Sequence, residues 1–169
     1  MSRAFLKNES ADDPVVIPAR APLPPGISNY VTPRGLALLR QELADLETEH
    51  AQVQLSEADE TERTRRLALL NGKIGAINQR IGNAHVVNLT TQPPDEVRFG
   101  ASVTLRPKAG ADRHLTIVGV DEADAAHGLI AFTAPIARAM QGKRIGDTVL
   151  LRNLKGEEAF QVVAIGYGL

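Results

Sequence analysis

The chemistry this sequence offers is concentrated between residues 57 and 66. Glu57, Asp59, Glu60 and Glu62 supply carboxylates, with no base among them, and Arg63, Arg65 and Arg66 follow as a basic collar. Clustered carboxylates are the oxygen donors that hard cations take, and arginines are phosphate-gripping groups. Ordinary helix chemistry accounts for the same pattern. Asp59 and Arg63 stand four apart, as do Glu62 and Arg66, and such pairs on an exposed helix are worth only about 0.2–0.5 kcal/mol each. Acids at a helix start also favour the macrodipole. From the residues alone both readings stay open, and no metal is singled out.

The flanking sequence says what must hold these groups. Leu36, Leu39, Leu43, Leu46, His50 and Val53 precede the acidic stretch, and Leu67, Leu70, Ile74, Ile77, Ile81 and Ala84 follow it. Both series alternate steps of three and four, the apolar seam of a coiled coil. They mirror each other about a point near Glu60, as the layers of an antiparallel hairpin do. Thr32 suits an N-cap and Pro33 the first helical position, and helix one runs to about Ser56. Asp59 suits the second N-cap, with Glu62 completing a capping box, and helix two runs to about Asn83. About 24 residues at 1.5 Å each make an arm of about 36 Å with an acidic tip. Gly72, Gly75 and Gly82 each cost helix two about 1 kcal/mol against alanine, so that helix depends on its seam. His50, opposite Leu70, reads as a tolerated polar seam residue rather than a ligand.

Composition narrows the partners. The chain has 169 residues, a formal net charge of -1 and no cysteine. A near-neutral protein is not drawn as a whole to nucleic acid or an anionic membrane. Without cysteine, disulfides and thiolate metal sites are excluded, which suits a reducing, cytoplasmic setting. No apolar run approaches a membrane span, and no leader-like apolar segment opens the chain. The glycines form no phosphate loop, and the four histidines do not cluster as ligands.

In chain order, residues 1–29 are a proline-rich tail, disordered or extended; an alternative is a segment that docks on a partner through Phe5, Val15, Val16 and Ile17. The arm occupies 30–87 and a linker 88–96. From 97 to 169 the pattern turns to period two. Strands are expected at Val97–Leu105, Leu115–Val120, Leu129–Thr133, Thr148–Arg152 and Glu158–Gly166, with a short helix over Pro135–Gln141. The fold class is α+β: an N-terminal antiparallel coiled-coil hairpin, then a small antiparallel β domain.

This β unit resembles the C-terminal part of the GreA/GreB family of bacterial transcript cleavage factors. The likeness rests on Val97-x-Phe99-Gly100-Ala101-Ser102-Val103-Thr104, Ile117-Val118-Gly119-x-Asp121-Glu122-Ala123-Asp124, Pro135-Ile136-Ala137-Arg138-Ala139, and Gly142-Lys143 followed by Gly146-Asp147. Thr32-Pro33-Arg34-Gly35 and Asn83-Ala84-x-Val86, at the two ends of the arm, agree as well. The resemblance implies an FKBP-like C-terminal domain that binds RNA polymerase at its secondary channel, with the coiled coil inserted to promote cleavage of backtracked nascent RNA. It implies an accessory factor rather than an enzyme; the chain is expected to act as a monomer away from membranes. Asp59 and Glu62, with Glu57 and Glu60, are then the acidic tip acting in trans. Asp59 and Glu62 would share the magnesium of the polymerase active site, since magnesium keeps waters and takes only one or two carboxylates; no cofactor is bound by the factor alone. Asp121, Pro135, Ile136 and Arg138 are the expected polymerase contacts, and Arg63, Arg65 and Arg66 a possible RNA contact. The family tip reads Gly-Asp-x-x-Glu-Asn, whereas here Ala58 and Arg63 replace the glycine and the asparagine. The arm is about one heptad shorter on each side, roughly 10 Å. The alternative is therefore a non-cleaving channel modulator, like the short-armed nucleoside diphosphate kinase regulators. A prolyl isomerase needs an aromatic-lined pocket, and this unit offers only Phe99, Phe132, Phe160 and Tyr167. A coiled-coil adaptor would need no acidic tip.

Overall fold

The computed structural model describes residues 14–18 and 20–168. Phe5 and the rest of the expected tail before Pro14 lie outside the described residues. The arm consists of α1 (Pro33–Ser56) and α2 (Glu60–Gly82). The Thr32 hydroxyl accepts from the Gly35 N–H at 2.9 Å, and Pro33 opens the helix without an orphan donor. The seam residues Leu39 and Val53 of α1 and Leu70 and Ile77 of α2 are buried. At the base of the arm, Val31, Leu39 and Ile77 form an apolar cluster with Leu36, Leu43, Leu46, Ile81 and Ala84 around them. The reversal occupies residues 57–59, just ahead of the Glu60 centre read from the mirrored series.

Two short strands, β1 (Asn29–Val31) and β2 (Ala84–Val86), pair in parallel where the arm begins and ends. Asn29, placed by composition in the tail, is therefore part of this ladder and is buried. Its amide donates to the Arg80 carbonyl and to Asn83 Oδ1, both at 3.1 Å.

The β domain is a five-stranded sheet in the order β5-β4-β3-β7-β6. Its strands are β3 (Ala101–Pro107), β4 (Arg113–Val118), β5 (Leu129–Ala131), β6 (Thr148–Asn153) and β7 (Gly156–Tyr167), and α3 (Pro135–Met140) packs on β6. Period two is carried faithfully: Ala101, Val103 and Leu105 face a core shared with Leu115, Ile117, Val149, Phe160 and Val162, and Ala137 and Met140 of α3 close it. Two expectations change. The sheet is mixed, because β5 runs parallel to β4 after the chain crosses back through residues 119–128. The first strand starts at Ala101, not Val97. Gly100, at a φ of 87°, completes a turn in which the Ala101 N–H reaches the Arg98 carbonyl. Val97 is still buried, held by hydrogen bonds with Lys143 and Gly142.

Candidate functional site

The tip is built by helix ends. Asp59 stands in extended backbone as the N-cap of α2, and its Oδ1 accepts from the Glu62 N–H at 2.8 Å. The reciprocal half of the capping box does not form. The Asp59 N–H instead points to Glu57 Oε1 at 3.4 Å, while Glu57 Oε2 takes Arg66 Nη1 at 3.1 Å. Arg63 Nη1 donates to the Glu57 carbonyl at 3.0 Å. Two arginines of the expected collar thus staple the turn, and the half-buried Glu57 is their common partner. Arg65 lies with Val15 and Glu62 around a cavity of about 400 Å³ beside the turn.

Glu60 and Glu62 are different. Both are exposed in the first turn of α2, and neither carboxylate has a hydrogen bond or ion pair among the described residues. The positive end of the helix favours their charge. The expected pair Asp59 and Glu62 is therefore unequal: one oxygen of Asp59 is committed to the cap, and Glu62 is open. Among the described residues no three histidine or carboxylate groups converge on a metal position. The donor set suits lending one or two carboxylates to a cation held elsewhere, not caging one.

The expected docking residues divide. Pro135 and Arg138 are exposed on α3, and Ile136 is half-buried against the domain core. The Asp121 side chain is only 7% exposed and is enclosed by Arg20 at 3.2 Å and Arg80 at 3.4 Å. Phe99 and Phe132 pack edge-on to each other and against Tyr30, at centroid separations of 5.6–5.9 Å.

Sequence reading missed the joint between arm and domain. Glu122, 1% exposed, accepts from the Thr32 hydroxyl at 2.5 Å and pairs with Arg34 at 2.8 Å. One hydroxyl thus caps α1 and binds the β domain. Gly119 belongs to the same joint, since a Cβ there would sit 2.6 Å from the Tyr30 carbonyl oxygen of β1. The motif that holds Gly119, Asp121 and Glu122 was visible, but its partners lie 41 to 101 residues away, and no local spacing points to them.

A helical arm presenting open carboxylates, jointed to a small mixed-sheet domain, defines an α+β protein. The family described as "Transcription elongation factor, GreA/GreB, C-term" matches residues 92–167. Transcription elongation factor GreA of Maridesulfovibrio salexigens is 32% identical over 148 residues, covering 80% of this chain and 92% of that protein. GreA of Trichlorobacter lovleyi is 34% identical over 137 residues, covering 77% and 86%. The chain belongs to the GreA/GreB family of transcription elongation factors. The crystal structure of GreA factor homolog 1 (Gfh1) from Thermus thermophilus covers 82% of this chain and 99% of its own, at 21% identity and a TM-score of 0.37. At that score the family assignment stands on the sequence relatives. No helix among the described residues is long and apolar enough to cross a membrane.

Proposed function

We propose that this protein binds bacterial RNA polymerase and lends its arm's carboxylates to the polymerase's own hydrolysis of backtracked nascent RNA. The observation that carries the reading is the pair Glu60 and Glu62, exposed and unpartnered among the described residues at the end of a stapled turn. In a two-metal hydrolytic site, one cation activates water and the other steadies the leaving oxygen. A magnesium ion short of protein ligands gains from one or two carboxylates on a rigid arm. Glu62 is the first choice for that role, and Asp59 contributes through its free oxygen while holding the turn. The exposed Pro135 and Arg138 on α3 are the proposed docking contacts. The factor carries no hydrolytic machinery of its own in this reading.

The test is RNA cleavage in a purified, backtracked elongation complex. The native protein is compared with Glu60→Gln/Glu62→Gln, which removes charge without removing the cap. Stimulated cleavage that falls at least tenfold in the double variant, with polymerase binding kept, supports the reading. Binding without any stimulation by the native protein would make the arm a channel modulator instead, and absence of binding would overturn the proposal altogether.

A further inference from the structure

We propose that residues 14–18, with Arg20 and Ala21, form a strap that braces the arm against the β domain, with Arg20 as its key. The strap lies along α2 between tip and base: Pro14, Val15 and Val16 border Glu62, Arg65 and Leu69, and Ile17 lies over Gly72. A Cβ on Gly72 would stand 1.9 Å from Ile17 Cδ1, so the missing side chain is the notch that Ile17 occupies. That gives a purpose to a glycine that otherwise only weakens the helix.

At the base, one guanidinium joins three parts of the molecule. Arg20 donates to both oxygens of Glu42 on α1, at 2.6 and 3.1 Å, and to Asp121 Oδ1 beyond β4, at 3.2 and 3.3 Å. Arg80 of α2 approaches the other Asp121 oxygen at 3.4 Å and donates to the Ala21 carbonyl. The tail, both helices and the β domain therefore meet around the Arg20–Asp121 pair, α1 through Glu42 and α2 through Arg80. The side chains of Arg20, Arg80 and Asp121 are only 22%, 11% and 7% exposed, so solvent screens this cluster less than a surface pair. Bidentate geometry suits arginine specifically. Val16 and Ile17 stay 81% and 43% exposed, so the ion cluster, not apolar burial, seats the strap.

A brace at this point has leverage. A swing of about 10° at the base moves a tip about 36 Å away by about 6 Å, enough to take a carboxylate out of any ligand shell. Restricting that swing is useful whatever the tip does, so the inference stands apart from the polymerase reading.

The chain has no cysteine, so introduced cysteines take spin labels cleanly. One label pair, Val16→Cys with Leu154→Cys, reports the strap; a second, Ala58→Cys with Leu154→Cys, reports the arm. Double electron–electron resonance gives each distance distribution. Narrow distributions are expected for both pairs in the otherwise native chain, and Arg20→Ala should at least double both widths. Gly72→Ala fills the notch and leaves the ion cluster alone, so it should broaden the strap pair only. Arg20→Lys keeps the charge without the fork and should give intermediate widths; it is the readout if the alanine variant fails to fold. A broad strap distribution in the native background, or an arm distribution that stays narrow after Arg20→Ala, would overturn the proposal.

Discussion

Asp59 carries two demands on one carboxylate. Its Oδ1 holds the Glu62 N–H and so starts α2, while the same group belongs to the acidic tip. An alanine at this position confounds the two, because losing an N-cap costs about 0.5–2 kcal/mol. Asparagine caps as well as aspartate but carries no charge. Asp59→Asn is therefore expected to leave thermal stability within about 0.5 kcal/mol of native, while Asp59→Ala loses about 1 kcal/mol. Thermal unfolding of the two variants, set beside their cleavage activity, separates capping from charge. An asparagine variant as unstable as the alanine one would mean that the carboxylate's charge, not its hydrogen bond, holds the turn.

The helices were the most legible elements, for a physical reason. Leu39, Val53, Leu70 and Ile77 recur at seam spacing within one segment, and Thr32, Pro33 and Asp59 are local signals that act within one turn. β1 and β2 carry no such signal, being short and separated by the whole arm; what makes them strands is the meeting of the two ends of the hairpin. The parallel pairing of β5 with β4 also depends on a crossover, not on either strand's pattern. At the tip, residue types were readable but their division of labour was not. Glu57 became the arginine anchor because of the turn's geometry, and Glu60 and Glu62 were left open. The end of β7 shows a further long-range tie. Tyr167 donates to the Glu96 carbonyl and accepts from the Arg98 N–H at 2.9 Å, so the last strand is pinned to the loop before β3. Burial pushes the Tyr167 phenol above its ordinary value, against the opposing pull of the Arg98 N–H and charge. The folded state thus holds that proton more tightly than the unfolded one. The contribution is complete below the unfolded value of about 10 and is lost as pH rises through the folded value. Tyr167→Phe is expected to lower stability by about 1 kcal/mol at neutral pH and to flatten the alkaline limb of the stability curve. Melting temperature followed from about pH 8 to about pH 12 checks this. A native-like alkaline limb in the phenylalanine variant would assign the loss to other groups.

Across the whole molecule, one close tie between arm and domain centres on Glu122. It is buried, and it satisfies the Thr32 hydroxyl and the Arg34 guanidinium at once. Removing it leaves a buried hydroxyl without an acceptor at the start of α1, a loss of about 1–3 kcal/mol. Glu122→Gln keeps an oxygen for Thr32 but no charge for Arg34, whose side chain is half in solvent, so its loss should be the smaller one. The more telling consequence is cooperativity. With the joint intact, arm and domain should unfold together, because α1 cannot fray at its N-cap without breaking a contact in the domain. In Glu122→Ala the helical circular dichroism of the arm should fall at a lower temperature than the near-ultraviolet tyrosine signal. That tyrosine signal comes from Tyr30 at the joint and Tyr167 in the sheet, so the Tyr30→Phe background isolates the domain. Coincident transitions at a lowered melting temperature would show that Glu122 only stabilises its own loop. Separated transitions would show that Glu122, beside the Arg20–Asp121 brace, is needed for a lever and its mount to behave as a single body.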